Sequence, residues 1–153
     1  MRKKVQLTLI ALVFLLAGTV AGAAVREFTL IAKETTMEIA GVKFPVWTFN
    51  GQVPGPTIRV KEGDLVRVKL VNESRNKHTI HWHGLLVPNN MDGVPHHGDI
   101  KLSQEPVKPG ESFTYEFIAK PAGTHLYHCH VNAHEHADMG LYGAFIVEPK
   151  GGE

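Results

Sequence analysis

Cysteine is almost missing from this 153-residue chain, and the only one is Cys129. A disulfide framework within one chain is therefore excluded. Aromatic residues make up only 8%, with Trp47 and Trp82 the two tryptophans. Neither sign of charge is in excess, since 16 Lys and Arg stand against 15 Asp and Glu. Without a basic surplus, no nucleic-acid partner is expected. Lys61, Arg67, Lys69, Arg75 and Lys77 are spread along candidate strands and read as a solvated face. After the first residues there is no long apolar run. The one near the start, Val5 to Leu16, falls short of the ~20 residues that cross a bilayer. It follows Met1-Arg2-Lys3-Lys4 and leads into Ala21-Gly22-Ala23-Ala24. A charged start, a short apolar middle and small residues at the exit make a secretory signal peptide over residues 1–24, cut near Ala23 or Ala24. The expected product is a periplasmic or secreted single domain over residues 25–153, slightly negative once Arg2, Lys3 and Lys4 are gone. In an oxidising compartment a lone cysteine is an intermolecular bridge, a free thiol or a metal ligand.

What is present is strand signal. Leu65-Val66-Arg67-Val68-Lys69-Leu70-Val71 alternates, with Val66, Val68 and Leu70 on one face. Ser112–Phe117 puts Phe113, Tyr115 and Phe117 on one face. Thr29–Ala32, Val46–Phe49 and Gly143–Val147 are shorter apolar runs. Pro54-Gly55-Pro56, Glu62-Gly63-Asp64, Pro88-Asn89-Asn90, Lys108-Pro109-Gly110 and Pro121-Ala122-Gly123 punctuate them as turns. Short strands with regular turns predict an all-β sandwich. The segment Asn132–Ala137 is compatible with a short helical turn.

All ten histidines fall between His78 and His136. Two clusters stand out: His78-Thr79-Ile80-His81-Trp82-His83 and His128-Cys129-His130, the latter followed by His134, His136 and Met139. In a strand, residues i and i+2 point the same way. His81 and His83 thus share a face, as do His128 and His130, while Trp82 and Cys129 point inward. A blue-copper centre needs a thiolate, two imidazoles and a weak axial thioether. Cys129 supplies the thiolate, His134 and Met139 follow on the loop, and His78 is the best placed second imidazole. A lone histidine in a strand is ordinarily just a polar group, and Met139 alone would be core. Two His-x-His pairs around the only cysteine resist that explanation. Zinc explains fewer residues: structural zinc sites use paired cysteines, and a three-histidine zinc site leaves Cys129 and Met139 idle.

These residues resemble the multicopper oxidase family of laccases, bilirubin oxidases, ascorbate oxidase and ferroxidases. The likeness rests on Asn50–Val60 with Glu62-Gly63-Asp64, on Thr79–Gly84, on Met91-Asp92-Gly93-Val94-Pro95, on Pro109–Phe113 and on Leu141–Val147. It implies a cupredoxin-like Greek-key β-sandwich. The His-Cys-His segment is similar to that of the family's final domain, with His134 five residues and Met139 ten residues beyond Cys129. By resemblance, His78, Cys129, His134 and Met139 hold type 1 copper. His81 is similar to the type 2 ligand, and His83, His128 and His130 to type 3 ligands. Cys129, His128 and His130 then form the electron path to the cluster. His96, His97, His125 and His136 match no family ligand and are left as surface or supporting residues.

Family members have two, three or six such domains, and their trinuclear cluster takes eight histidines from two facing domains. One chain offers four at matching positions. If that surface meets its own copy, the contact is isologous and implies a twofold axis, in a dimer or a hexamer of 32 symmetry. The resemblance implies a laccase-like oxidase. It would take single electrons from a small reducing substrate or redox partner protein and reduce dioxygen to water. Phenols, Cu(I) and Fe(II) all qualify as donors, and no methionine-rich segment favours Cu(I). The alternatives are a type 1 copper electron carrier, a copper nitrite reductase-like enzyme and a copper-storage protein. The extra His-x-His pairs are superfluous in a carrier.

Overall fold

The computed structural model describes residues 23–96 and 101–151. Most of the expected signal peptide, and His97, lie outside the described residues. Among the described residues, no helix is long and apolar enough to cross a membrane.

Eight strands form two four-stranded sheets. They are β1 (Val25–Ile39), β2 (Val42–Phe49), β3 (Gly55–Lys61), β4 (Leu65–Asn72), β5 (His81–His83), β6 (Ser112–Ile118), β7 (Gly123–His128) and β8 (Tyr142–Glu148). The sheet orders are β2-β1-β4-β6 and β3-β8-β7-β5. β1 runs parallel to β4, and β3 parallel to β8. The remaining neighbours are antiparallel. Two facing sheets with strands crossing between them are the predicted cupredoxin-like sandwich. One helix, α1 (Ala133–Asp138), lies between β7 and β8.

Alternation builds the core as the sequence implies. In β4 the inward face is Val66, Val68 and Leu70, all fully buried. Between the sheets sits Trp82, wholly enclosed. Its ring meets those of Tyr115, Phe117 and Phe145 at centroid distances of 5.3, 4.9 and 5.7 Å. Such aromatic pairs add about 0.5–1.5 kcal/mol each beyond the area they bury.

β1 exceeds the expected strand. The run Thr29–Ala32 was the apolar part alone, whereas β1 continues to Ile39 because β2 pairs with it from Ala32 to Ile39. Pairing with β4 stops at Ala32. The distal hairpin therefore projects past the sheet with Val42 and Phe44 exposed. Trp47 lies in this arm opposite Glu34.

The N-terminal strand is tied down by Asp64, a buried carboxylate. It accepts bonds from the Ala24 N–H (3.1 Å), Arg26 Nε (3.0 Å) and the Lys61 N–H (3.1 Å). Burial alone would raise its pKa, but these bonds outweigh it and hold the carboxyl below its ordinary value. A depressed carboxyl pKa adds stability that is present above the unfolded value and lost as pH falls through the folded one. Asp64→Asn is expected to cost about 1–3 kcal/mol in urea unfolding at pH 7. The gap between the two proteins should narrow as pH drops below about 4.

Candidate metal centres

Two donor sets lie back to back across one stretch of chain. The inner set is His78, Cys129 and His136, all buried. Cys129 Sγ stands 3.5 Å from His78 Nδ1 and 3.1 Å from His136 Nδ1, and the two nitrogens are 3.2 Å apart. Three donors about 2.0–2.3 Å from a first-row metal in a trigonal plane would be separated by about 3.5 Å. The triangle is close to that size.

His134 was expected beside Cys129; the structure places His134 at the surface and brings His136 next to Cys129 and His78. The cause is local. Asn132, in the left-handed region at φ 45°, opens the helix α1. Asparagine tolerates that conformation better than most residues. On a helix, residues two apart point about 200° away from each other, so His136 turns inward and His134 outward. Counting along the loop could not decide between them.

Met139 ends the helix, half-buried, and its carbonyl accepts the Trp47 N–H at 2.9 Å. Gly140 follows at φ +118°. A Cβ there would stand 2.5 Å from Val53 Cγ2 and 2.6 Å from the Trp47 carbonyl. Only glycine lets the helix end pack against β2.

His78 is held by a network that sequence reasoning missed. Buried Asn72 donates to the carbonyls of Asn76 and Val107 and accepts from the N–H and Oγ of Ser74. Ser74 Oγ bonds His78 Nε2 at 2.7 Å, leaving Nδ1 toward the cluster. Asn72 and Ser74 are turn-forming residues, and their spacing before His78 was the available signal.

Burial sets the protonation of the inner set. It pushes the Cys129 thiol up to about 11. It brings His78 down to about 4, with His136 adding to the effect, and lowers His136 as well. Two neutral imidazoles and a thiol are what a dry pocket favours. A thiol plus two imidazoles in a trigonal array is the donor chemistry of a blue-copper site.

The outer set is His81 and His83 on β5, His128 at the end of β7, and His130 just beyond. β5 and β7 pair with His81 opposite His128. The ligand atoms of His81, His83 and His128 all lie within 4.8 Å of one another. The His130 ring joins them at 5.1 Å from His81 and 5.8 Å from His128. His81 donates Nδ1–H to the Asp92 carbonyl (2.8 Å), and His128 donates Nδ1–H to the Cys129 carbonyl (2.9 Å). Both therefore offer a free Nε2 lone pair, which is how ligating histidines are oriented. Gly93 makes the first bond reachable: at φ +73° it passes so close that a Cβ would lie 1.8 Å from the Ile80 carbonyl. The face is open, with His83 exposed. Two other described histidines lie apart from both sets: His125 bonds the Pro121 carbonyl and His96 accepts the Leu102 N–H.

A family profile described as multicopper oxidase matches residues 31–152. Copper resistance protein A of Escherichia coli is 39% identical over 124 residues, which cover 81% of this chain and 19% of that protein. The blue copper oxidase structure from Nitrosomonas europaea superposes with a TM-score of 0.76 at 48% identity, covering 82% of this chain and 39% of the other. A multi-copper oxidase structure from Pseudomonas thermotolerans gives 0.78 at 39% identity, covering 84% and 31%. The chain thus spans well under half the length of each of these proteins.

His136→Ala should abolish blue visible absorption in copper-loaded protein, while His134→Ala should retain it. Ser74→Ala should lower copper affinity at that site about 10–100-fold, measured by competition with a chelator, without loss of the fold.

Proposed function

This chain belongs to the multicopper oxidase family, and on that premise we propose that it is half of an oxygen-reducing copper enzyme, completed by a second copy of itself. Copper is the cofactor of the family. The observation that carries the proposal is the open face of four clustered imidazoles, His81, His83, His128 and His130, beside a separate buried thiol–imidazole set.

His78, Cys129 and His136 would hold type 1 copper, with Met139 as the thioether that follows them on the chain. His81 is assigned to type 2 copper, and His83, His128 and His130 to type 3. Copper held at these positions would supply one-electron chemistry, by which four single-electron oxidations of a donor, with four protons, would reduce one dioxygen to two water molecules. The protein's part is to fix donors and protonation. The Asp92 and Cys129 carbonyls hold the N–H of His81 and His128, so their free nitrogens face outward. Cys129 is bonded through the backbone to His128 and His130, so one three-residue segment joins the inner set to the outer.

A face that supplies one half of a cluster can be completed by the same face of a copy. Such contact is isologous and generates a twofold axis, so the assembly is a dimer or a 32-symmetric hexamer. The exported location read from the N-terminal residues suits an enzyme loaded with copper and supplied with small reductants outside the cytoplasm.

His81→Ala separates the two donor sets. Copper-loaded variant protein should keep its blue absorption and lose oxygen uptake with a phenolic dye in an oxygen electrode. Retention of both would refute the assignment of the outer face.

A further inference from the structure

Inside its sheet, the β1–β2 pair turns apolar side chains to the core. Leu30 and Ala32 on β1, and Phe49 opposite Ala32 on β2, are all buried. Beyond the sheet the apolar residues change sides. By period two, the core-facing row of β1 continues as Glu34, Thr36 and Glu38. On the opposite face Met37 pairs with Phe44, and Ile39 with Val42. Ile39, Val42 and Phe44 are 56%, 54% and 44% exposed. The register runs unbroken from Ala32 to Ile39, so this apolar face cannot turn back to the protein's own core. Ala40 and Gly41 close the tip, both at positive φ (50° and 80°), which suits the tight turn of a twisted hairpin.

The same chain carries a hole of matching chemistry. Leu86, Val87, Pro88, Ile118 and Lys120 line a cleft of about 320 Å³. The Leu86 N–H bonds the Lys120 carbonyl at 2.9 Å and so fixes one wall. Leu86 and Ile118 are exposed. Apart from the Lys120 ammonium, no side chain in the lining can hydrogen-bond or carry charge. Nothing there would orient a polar ligand, whereas a protruding aromatic ring would fit.

Topology keeps knob and hole apart within one chain. β2 and β6 are the two edges of one sheet. Ile118 ends β6 opposite Leu65, which pairs with Val25 at the start of β1. The arm lies at the other end of β1, at the diagonally opposite corner. An arm can therefore fill only another copy's cleft, and the contact is head to tail.

Area decides how many copies take part. Four apolar side chains of this kind bury about 100 Å² each, about half of the ~800 Å² per partner in a stable interface. One arm contact is too small to hold two copies together. A closed ring doubles it, since every protomer then both gives and receives an arm. A lipid surface is a poorer occupant, because Lys43 stands opposite Glu38 and leaves the tip without a basic excess.

We propose that the β1–β2 arm of each protomer seats Phe44 in the Leu86–Ile118 cleft of the next copy and closes a threefold ring. Of the two assemblies that a twofold contact of the histidine faces allows, only the 32-symmetric hexamer contains such a ring. The hexamer rests on the shared-cluster reading given above; the ring does not.

Native mass spectrometry of the copper-loaded full chain tests this. Wild type should fly as six chains. Phe44→Asp and Leu86→Asp, both surface changes, should each lower the mass threefold, to two chains, with blue absorption unchanged. With Phe44→p-benzoylphenylalanine, illumination should link position 44 to Leu86–Pro88 or Ile118 of another chain. Denaturing gels should then show up to three linked chains and no more. A wild-type mass of three chains would keep the ring and refute the twofold reading. A wild-type mass of one or two chains, a mass indifferent to Phe44→Asp, or links that land elsewhere would overturn the ring.

Discussion

The two-residue period of a β-strand governs this protein. At His81-Trp82-His83 the middle residue is buried in the aromatic core, so its neighbours must emerge on the other face. At His128-Cys129-His130 the buried residue is the thiol instead, and the same rule sends two imidazoles outward. One short segment thereby serves two metal environments, one dry and one open. A slip of a single residue would exchange them, placing imidazoles in the core and indole and thiol in water. Register is held by the pairing of Trp82 with Tyr127 and of His81 with His128, and by the Ile80 N–H bond to the Tyr115 hydroxyl.

The inner environment is polar chemistry kept neutral. Buried charge is costly unless paired, and nothing among the described residues offers an ion pair to the His78–Cys129–His136 set. Burial answers this by raising the thiol and lowering the imidazoles, so each carries no charge before metal arrives. The thiol, on losing its proton to solvent, and the two neutral imidazoles would together hold a cationic metal. The supports around the set, Asn72 and Ser74 on one side and the Met139–Trp47 bond on the other, fix orientation rather than charge.

Much of this was legible in the chain. Alternation in Leu65–Val71 and Ser112–Phe117 marked β4 and β6, and the His-x-His pairs marked the outer face, because both follow from strand geometry alone. The inner set was half legible. Cys129 follows directly on β7 and His78 pairs with Val107 in an isolated bridge before β5, but the next imidazole sits further on, where the short helix α1 changes the period from two to 3.6. Spacing and the family likeness point to His134, while helix α1 turns the His136 side chain toward Cys129. The Asn72–Ser74 turn before His78 left a local signal, whereas contacts between segments distant in sequence, such as Asn72 with Val107 and Trp47 with His136, are encoded by no local pattern. The long β1–β2 arm escaped notice because its distal half carries too few buried residues to show alternation.

The central claim is that the inner set is complete within one chain and the outer set is completed only by a copy. Copper content per chain, measured alongside native mass over a range of protein concentrations, tests it most directly. The account predicts about one copper per chain, with full blue colour, in dilute protomers, rising to about 2.5 per chain as twofold assemblies form. Copper content independent of assembly, or oxygen reduction by a lone protomer, would contradict it.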